Sequence, residues 1–142
     1  MRASAVRAAI IAAIEEAVLD TKAGRGDVFN VLRTAREPDA VSERVAQVRL
    51  LSGPDKSDHN TCDSFVVTYQ VSRYYSPSGD IEDRIAADNE RLYLPLAAAA
   101  LIAREPDIMD ASASGTTVDE NAGLIAARQD VTILFRLDSA LV

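Results

Sequence analysis

Residues 65–75, FVVTYQVSRYY, alternate apolar and polar side chains more cleanly than any other part of the chain. Successive side chains of a strand point to opposite faces, so Phe65, Val67, Tyr69 and Val71 share one side and Thr68, Gln70 and Ser72 the other. One apolar face and one polar face suit an antiparallel sheet that is covered on one side and wet on the other. The remaining residues must then supply partner strands and an apolar layer to cover that face.

Both are present in the pattern. Residues 44–51, RVAQVRLL, alternate with Ala46, Val48 and Leu50 on one face and Val45, Gln47 and Arg49 on the other. Residues 27–34 form an expected first strand, and residues 130–138 a final one with Val131, Ile133, Phe135 and Leu137 on its buried face. The covering layer is helical. Over residues 3–19, Val6, Ile10, Ile14, Ala17 and Val18 recur at spacings of three and four, and the many alanines favour helix. Gly24 and Gly26 end that segment, with Lys22 near the negative end of the helix dipole.

A second helix follows the turn at 76–80, where Asp80 is placed to cap it and Glu82 and Asp83 stand in its first turn. Ile81, Ile85, Leu92, Leu96 and Ala99 make its apolar stripe, and Arg84, Asp88 and Arg91 a charged row beside it. Pro95 removes a backbone donor and crowds the carbonyl of Arg91, which predicts a kink there or a restart of the helix at Pro95. Residues 35–42 and 52–63 read as loops. Residues 107–119 are small and polar, with a turn expected at Gly115, and residues 118–127 carry no decisive pattern. The whole is one α+β domain over residues 1–142: a mostly antiparallel or mixed sheet of about four to five strands with two helices packed on one face.

Composition narrows the function. The net charge of -7 repels polyphosphate and anionic membranes. The longest apolar run, residues 92–103, is too short to span a bilayer, and Glu15 and Glu16 interrupt the amino-terminal apolar patch too early for a secretory signal. Cys62 is alone, so no intrachain disulfide forms, in keeping with a reducing cytoplasm.

Chemistry finds little to hold. His59 stands among Asp55, Asp58, Asn60, Cys62 and Asp63, but the spacing matches neither a zinc nor a calcium site. No group orients a Cys62–His59 nucleophile, there is no GxSxG elbow, and Gly24-Arg25-Gly26 is too short for a phosphate loop. No catalytic, cofactor or metal residue is therefore expected, and a small carboxylate- or thiol-dependent enzyme stands as the alternative of a different class. Arg73, Tyr74 and Tyr75 join a base to aromatics at a strand end, the residue types that anchor protein interfaces. With Arg84, Asp88 and Arg91 they are the candidate subunit-interface residues.

The passage VVTYQVSRYYSPSGDIEDRIAADNERLYLPL, with DVTILFRLD near the end, resembles the tail terminator proteins of long-tailed bacteriophages. The helix RAAIIAAIEEAVL and the strand DVFNVLRT follow the same order of elements, so the resemblance covers most of the chain. It implies an α/β subunit of a hexameric ring at the head-proximal end of the virion tail, assembled in the host cytoplasm. Such a ring stops growth of the tail tube protein, offers a docking face for the head-completion or stopper protein, and lets DNA through its lumen without specific binding. It implies neither an enzyme nor a cofactor. Acidic side chains on such a lumen would keep DNA mobile. Another neck, stopper or tail-completion subunit is the alternative within the same class.

Overall fold

The computed structural model describes residues 1–17, 19–20, 26–27, 29–32, 45–56, 64–77, 79–121 and 123–137. The expected loop at 35–42, His59 and Cys62 in the 57–63 stretch, Gly24, Lys22 and Val18 lie outside the described residues.

The fold is α+β. The elements, in order, are α1 (Ala3–Glu16), β1 (Leu19–Asp20), β2 (Gly26–Asp27), β3 (Asn30–Leu32), β4 (Val45–Lys56), β5 (Ser64–Tyr75), α2 (Ile81–Leu96), α3 (Ala98–Arg104), β6 (Ile108–Ala113), β7 (Thr117–Asn121) and β8 (Leu124–Arg136). Strands β1 and β2 make a small antiparallel pair. Among the described residues the main sheet has six strands in the order β3-β4-β5-β8-β6, with β7 also paired to β8. Among the described strands only the β3–β4 pairing is parallel, so the sheet is mixed.

Strand β5 is central, and its alternation sets the two faces. Val67, Tyr69 and Val71 point to the helix side, where their register partners on β8 are Ile133, Val131 and Gln129. Ile10 and Ile14 of α1, Leu92 and Leu96 of α2, and Leu101 of α3 close this layer, all of them fully buried. Full burial of an aliphatic side chain contributes about 1.5–3 kcal/mol, so this layer holds the fold together. Tyr69 adds a polar tie by donating from its hydroxyl to the Ala3 carbonyl at 2.9 Å. On the opposite, open face, Thr68 and Thr132 meet hydroxyl to hydroxyl at 3.1 Å across the β5–β8 pair.

Several expectations need correction. The open face is not wet throughout. Ser72 and Tyr74 are buried there, because Arg128 donates to the Ser72 hydroxyl at 2.9 Å and lies 5.9 Å from the Tyr74 ring centre. Strand β4 does not stop at Leu51 but continues through Ser52 and Pro54 to Lys56. Its register slips between Leu50 and Ser52 and again between Ser52 and Asp55. Gly53 sits in that irregularity at φ 84°, where a Cβ would stand 2.6 Å from the Val66 carbonyl oxygen. Only glycine fits so close an approach in the left-handed region.

Residues 107–119, small and polar, are mostly strand. They hold β6 and the start of β7, which lie end to end along β8. Between them, Ser114 keeps contact with Asp130: its backbone N–H donates to the Asp130 carbonyl at 2.8 Å, and its hydroxyl accepts from the Asp130 N–H at 2.9 Å. The final strand begins at Leu124, not Asp130, and pairs back to Asn121 around Gly123 at φ 82°.

The helical layer also differs. α1 ends at Glu16, short of residue 19. Asp80 takes the N-cap position of α2, but its side chain makes no capping hydrogen bond. Pro95 is accommodated inside α2, and the break falls at Ala97, whose φ of -69° and ψ of 151° are extended. Among the described residues three helices therefore cover the sheet where two were expected, and Ala99, assigned to the stripe, is exposed.

Candidate functional site

The six residues singled out for an interface fall into three places. Arg73 and Tyr75 alternate onto the helix face at the end of β5, directly under α2. Their side chains are buried, at 1 % and 2 % exposure, and Asp88 of α2 is buried completely. The Arg73 guanidinium donates to the Tyr75 hydroxyl at 2.9 Å, and that hydroxyl donates to Asp88 Oδ2 at 2.8 Å. Arg73 also donates to the side-chain oxygen of Asn89, which accepts from the Thr116 hydroxyl at 3.2 Å. Arg73 and the half-buried Arg84 each place the guanidinium carbon 5.9 Å from the Tyr75 ring centre, within cation–π range.

This is a polar clasp between strand and helix. A buried cation needs an anionic partner and filled hydrogen bonds, and Asp88, with the Tyr75 hydroxyl between, supplies both. Arg73, Tyr75 and Asp88 are turned inward and present nothing to a neighbouring subunit, which corrects their assignment as interface anchors. The charged row beside the α2 stripe is corrected in the same way. Asp88 stands in the stripe itself, three residues after Ile85 and four before Leu92, both buried.

Tyr74 points to the other face. It is buried against Val45 and Ala126 and donates to the Gln47 side-chain oxygen at 3.2 Å. Of the six, Arg91 alone is exposed.

Two further ties involve shifted groups. Arg104 of α3 grips Glu16 of α1 with contacts of 2.6 and 3.2 Å, and this hydrogen bonding holds the Glu16 carboxyl below the usual carboxylate range. Burial pushes the Tyr69 hydroxyl above its ordinary value. Both groups connect α1 to its neighbours.

The surface shows what alternation alone did not mark. Leu50 and Leu51 on β4 are 57 % and 51 % exposed, and Val118 on β7 is 56 % exposed, with Met109 on β6 also exposed. These side chains lie along the two opposite margins of the sheet. The signal for the first pair was the run Leu50-Leu51, which breaks the alternation of 44–51. Tyr93 and Leu94 form a second exposed pair, on α2.

Among the described residues, no group of three or more His, Cys, Asp or Glu is placed to hold a metal ion. Nor, among them, is any helix long and apolar enough to cross a membrane. No protein-family model matches the chain, and no curated protein matches it significantly.

Proposed function

We propose that this chain is a structural subunit of a long-tailed bacteriophage, closing into a ring that caps the tail tube and offers a face for head docking. One observation carries the reading: a single sheet ends in two chemically different margins, each bearing exposed large apolar side chains. Two different patches on one subunit are what a closed head-to-tail ring requires. The element order adds support, because a helix, then paired strands, then a strand–turn–helix passage and a last long strand is the order in which the tail terminator resemblance runs. Partners in this reading are further copies of the chain, the tail tube protein and the head-completion protein. DNA passes the lumen unbound, kept off by a net charge of -7 per subunit.

Light scattering and negative-stain images of the purified protein test the reading, both alone and with tail tubes. A closed ring with a central hole, with a mass several times the 15.3 kDa subunit, is the expected result. A strict monomer in both settings overturns it. Changing His59 and Cys62 together to alanine leaves ring formation and infectivity intact if no metal or thiol chemistry is involved.

A further inference from the structure

We propose that subunits join by antiparallel pairing of the outer margin of β4 in one copy with the outer margin of β6 and β7 in the next, so that one sheet continues through the ring. The inference rests on the ring proposed above and specifies how it closes.

The margins are open to different extents. β3 pairs with β4 only at Val45, Ala46 and Gln47. The next outward carbonyl, that of Val48, accepts from Arg7 of α1 at 3.2 and 3.0 Å. Beyond it, no described strand lies outside β4, and none lies outside β6 or β7. Unpaired margins bearing exposed apolar side chains are a hazard for a lone globule and an asset for one that adds strands.

Strand direction, face and charge all match the two margins to each other. β4 and β8 are each antiparallel to β5, and β6 is antiparallel to β8. β4 and β6 therefore run in opposite senses within one subunit. A neighbour brought alongside with its strand sense kept presents β4 antiparallel to β6, the slightly more stable pairing per residue. The faces agree as well. Leu50 pairs with Tyr69 and Val118 with Ala127, which puts both leucine and valine on the helix face. In the register that sets Leu50 opposite Val118, Arg49 falls opposite Asp119; Arg49 pairs with Gln70 and Asp119 with Ala126, which puts both charges on the open face. A continuous sheet thus sets apolar beside apolar and base beside acid. α3 packs over β6 and adds the exposed Ile102 on the helix side.

Charge also disfavours the symmetric alternative. β6 and β7 carry Asp110, Asp119 and Glu120 and no base, whereas β4 beyond Val48 carries Arg49 and Lys56 against one acid, Asp55. Pairing β6 with a second β6 brings acids together, and like charges across a strand pair are destabilising.

The test uses the full chain with Cys62→Ser. Ser52→Cys on β4 and Thr117→Cys on β7 are prepared separately; both positions are exposed on the open face, next to Leu50 and Val118. A short bis-maleimide is expected to give a covalent dimer when the two variants are mixed and none above background with either alone. Equal dimer from one variant alone overturns the pairing. So does a mixture that light scattering shows to be a ring yet that does not cross-link, and in that case the ring itself stands. A mixture that stays monomeric with and without tail tubes overturns ring and pairing together. As a second measurement, Arg49→Asp is expected to weaken self-association roughly tenfold or more, because it sets an acid against Asp119. Unchanged association in Arg49→Asp overturns the pairing.

Discussion

Tyr75 places its hydroxyl between a buried guanidinium and a buried carboxylate, accepting from Arg73 and donating to Asp88. Tyr75→Phe leaves the ring in place and removes one donor and one acceptor. A loss of about 1–3 kcal/mol is expected, since each partner is then left short of a bond in the interior. Asp88→Leu goes further. It removes the buried carboxylate at the end of the Arg73–Tyr75–Asp88 chain, which is expected to cost about 3–5 kcal/mol. Urea unfolding of the two variants measures both losses, and the order Asp88→Leu above Tyr75→Phe is the expected result. Equal, negligible effects would mean that the clasp does not hold α2. The residue types at 73–75 mark a dense contact, but reading it as a subunit interface puts its partners outside the molecule when they lie within it. Arginine and tyrosine at a strand end satisfy an internal helix as well as a neighbouring subunit. The clue that favours the interior is Asp88, a carboxylate standing at a core position of an apolar stripe, where a charge needs a buried partner.

At the level of elements, the strands of the centre were legible and the margins were not. β5 alternates β-branched and aromatic residues against polar ones, so its faces followed directly from period two. β6 offers Ile108 and then mainly alanine, serine and an aspartate, residues of low strand preference. It forms because β8 supplies a ladder, and pairing of that kind leaves little local trace. The helix break has a similar origin. On a continuous helix at ~100° per residue, Leu101 would lie about half a turn away from Leu92 and face water. The extended Ala97 resets the phase, and Leu92, Leu96 and Leu101 are all buried in one core. Pro95 alone does not dictate this, since proline fits helical φ and costs one hydrogen bond near the end of α2. Leu101→Ala is therefore expected to cost about 2–5 kcal/mol, the range for a fully buried leucine. A chemical-denaturation midpoint close to that of the unmutated chain would show that α3 does not dock as described.

Across the whole molecule, charge and shape oppose each other, and salt decides between them. Each subunit carries -7, so two copies with centres ~35 Å apart repel by about 6 kcal/mol in unscreened water. A single exposed base–acid contact at a sheet margin returns only about 0–1 kcal/mol. Long-range repulsion wins at low ionic strength. At ~0.15 M salt the Debye length is about 8 Å, which removes most of the repulsion but leaves contacts inside a strand pair largely in force. The apolar side chains at the margins are indifferent to moderate salt. Ring formation is accordingly expected to rise steeply between ~0.01 and ~0.15 M salt and then level off, followed as weight-average mass by light scattering at fixed protein concentration. A fall in mass over the same range would mean that attraction between opposite charges outweighs the repulsion, and the apolar margins would then not be what holds neighbouring copies together.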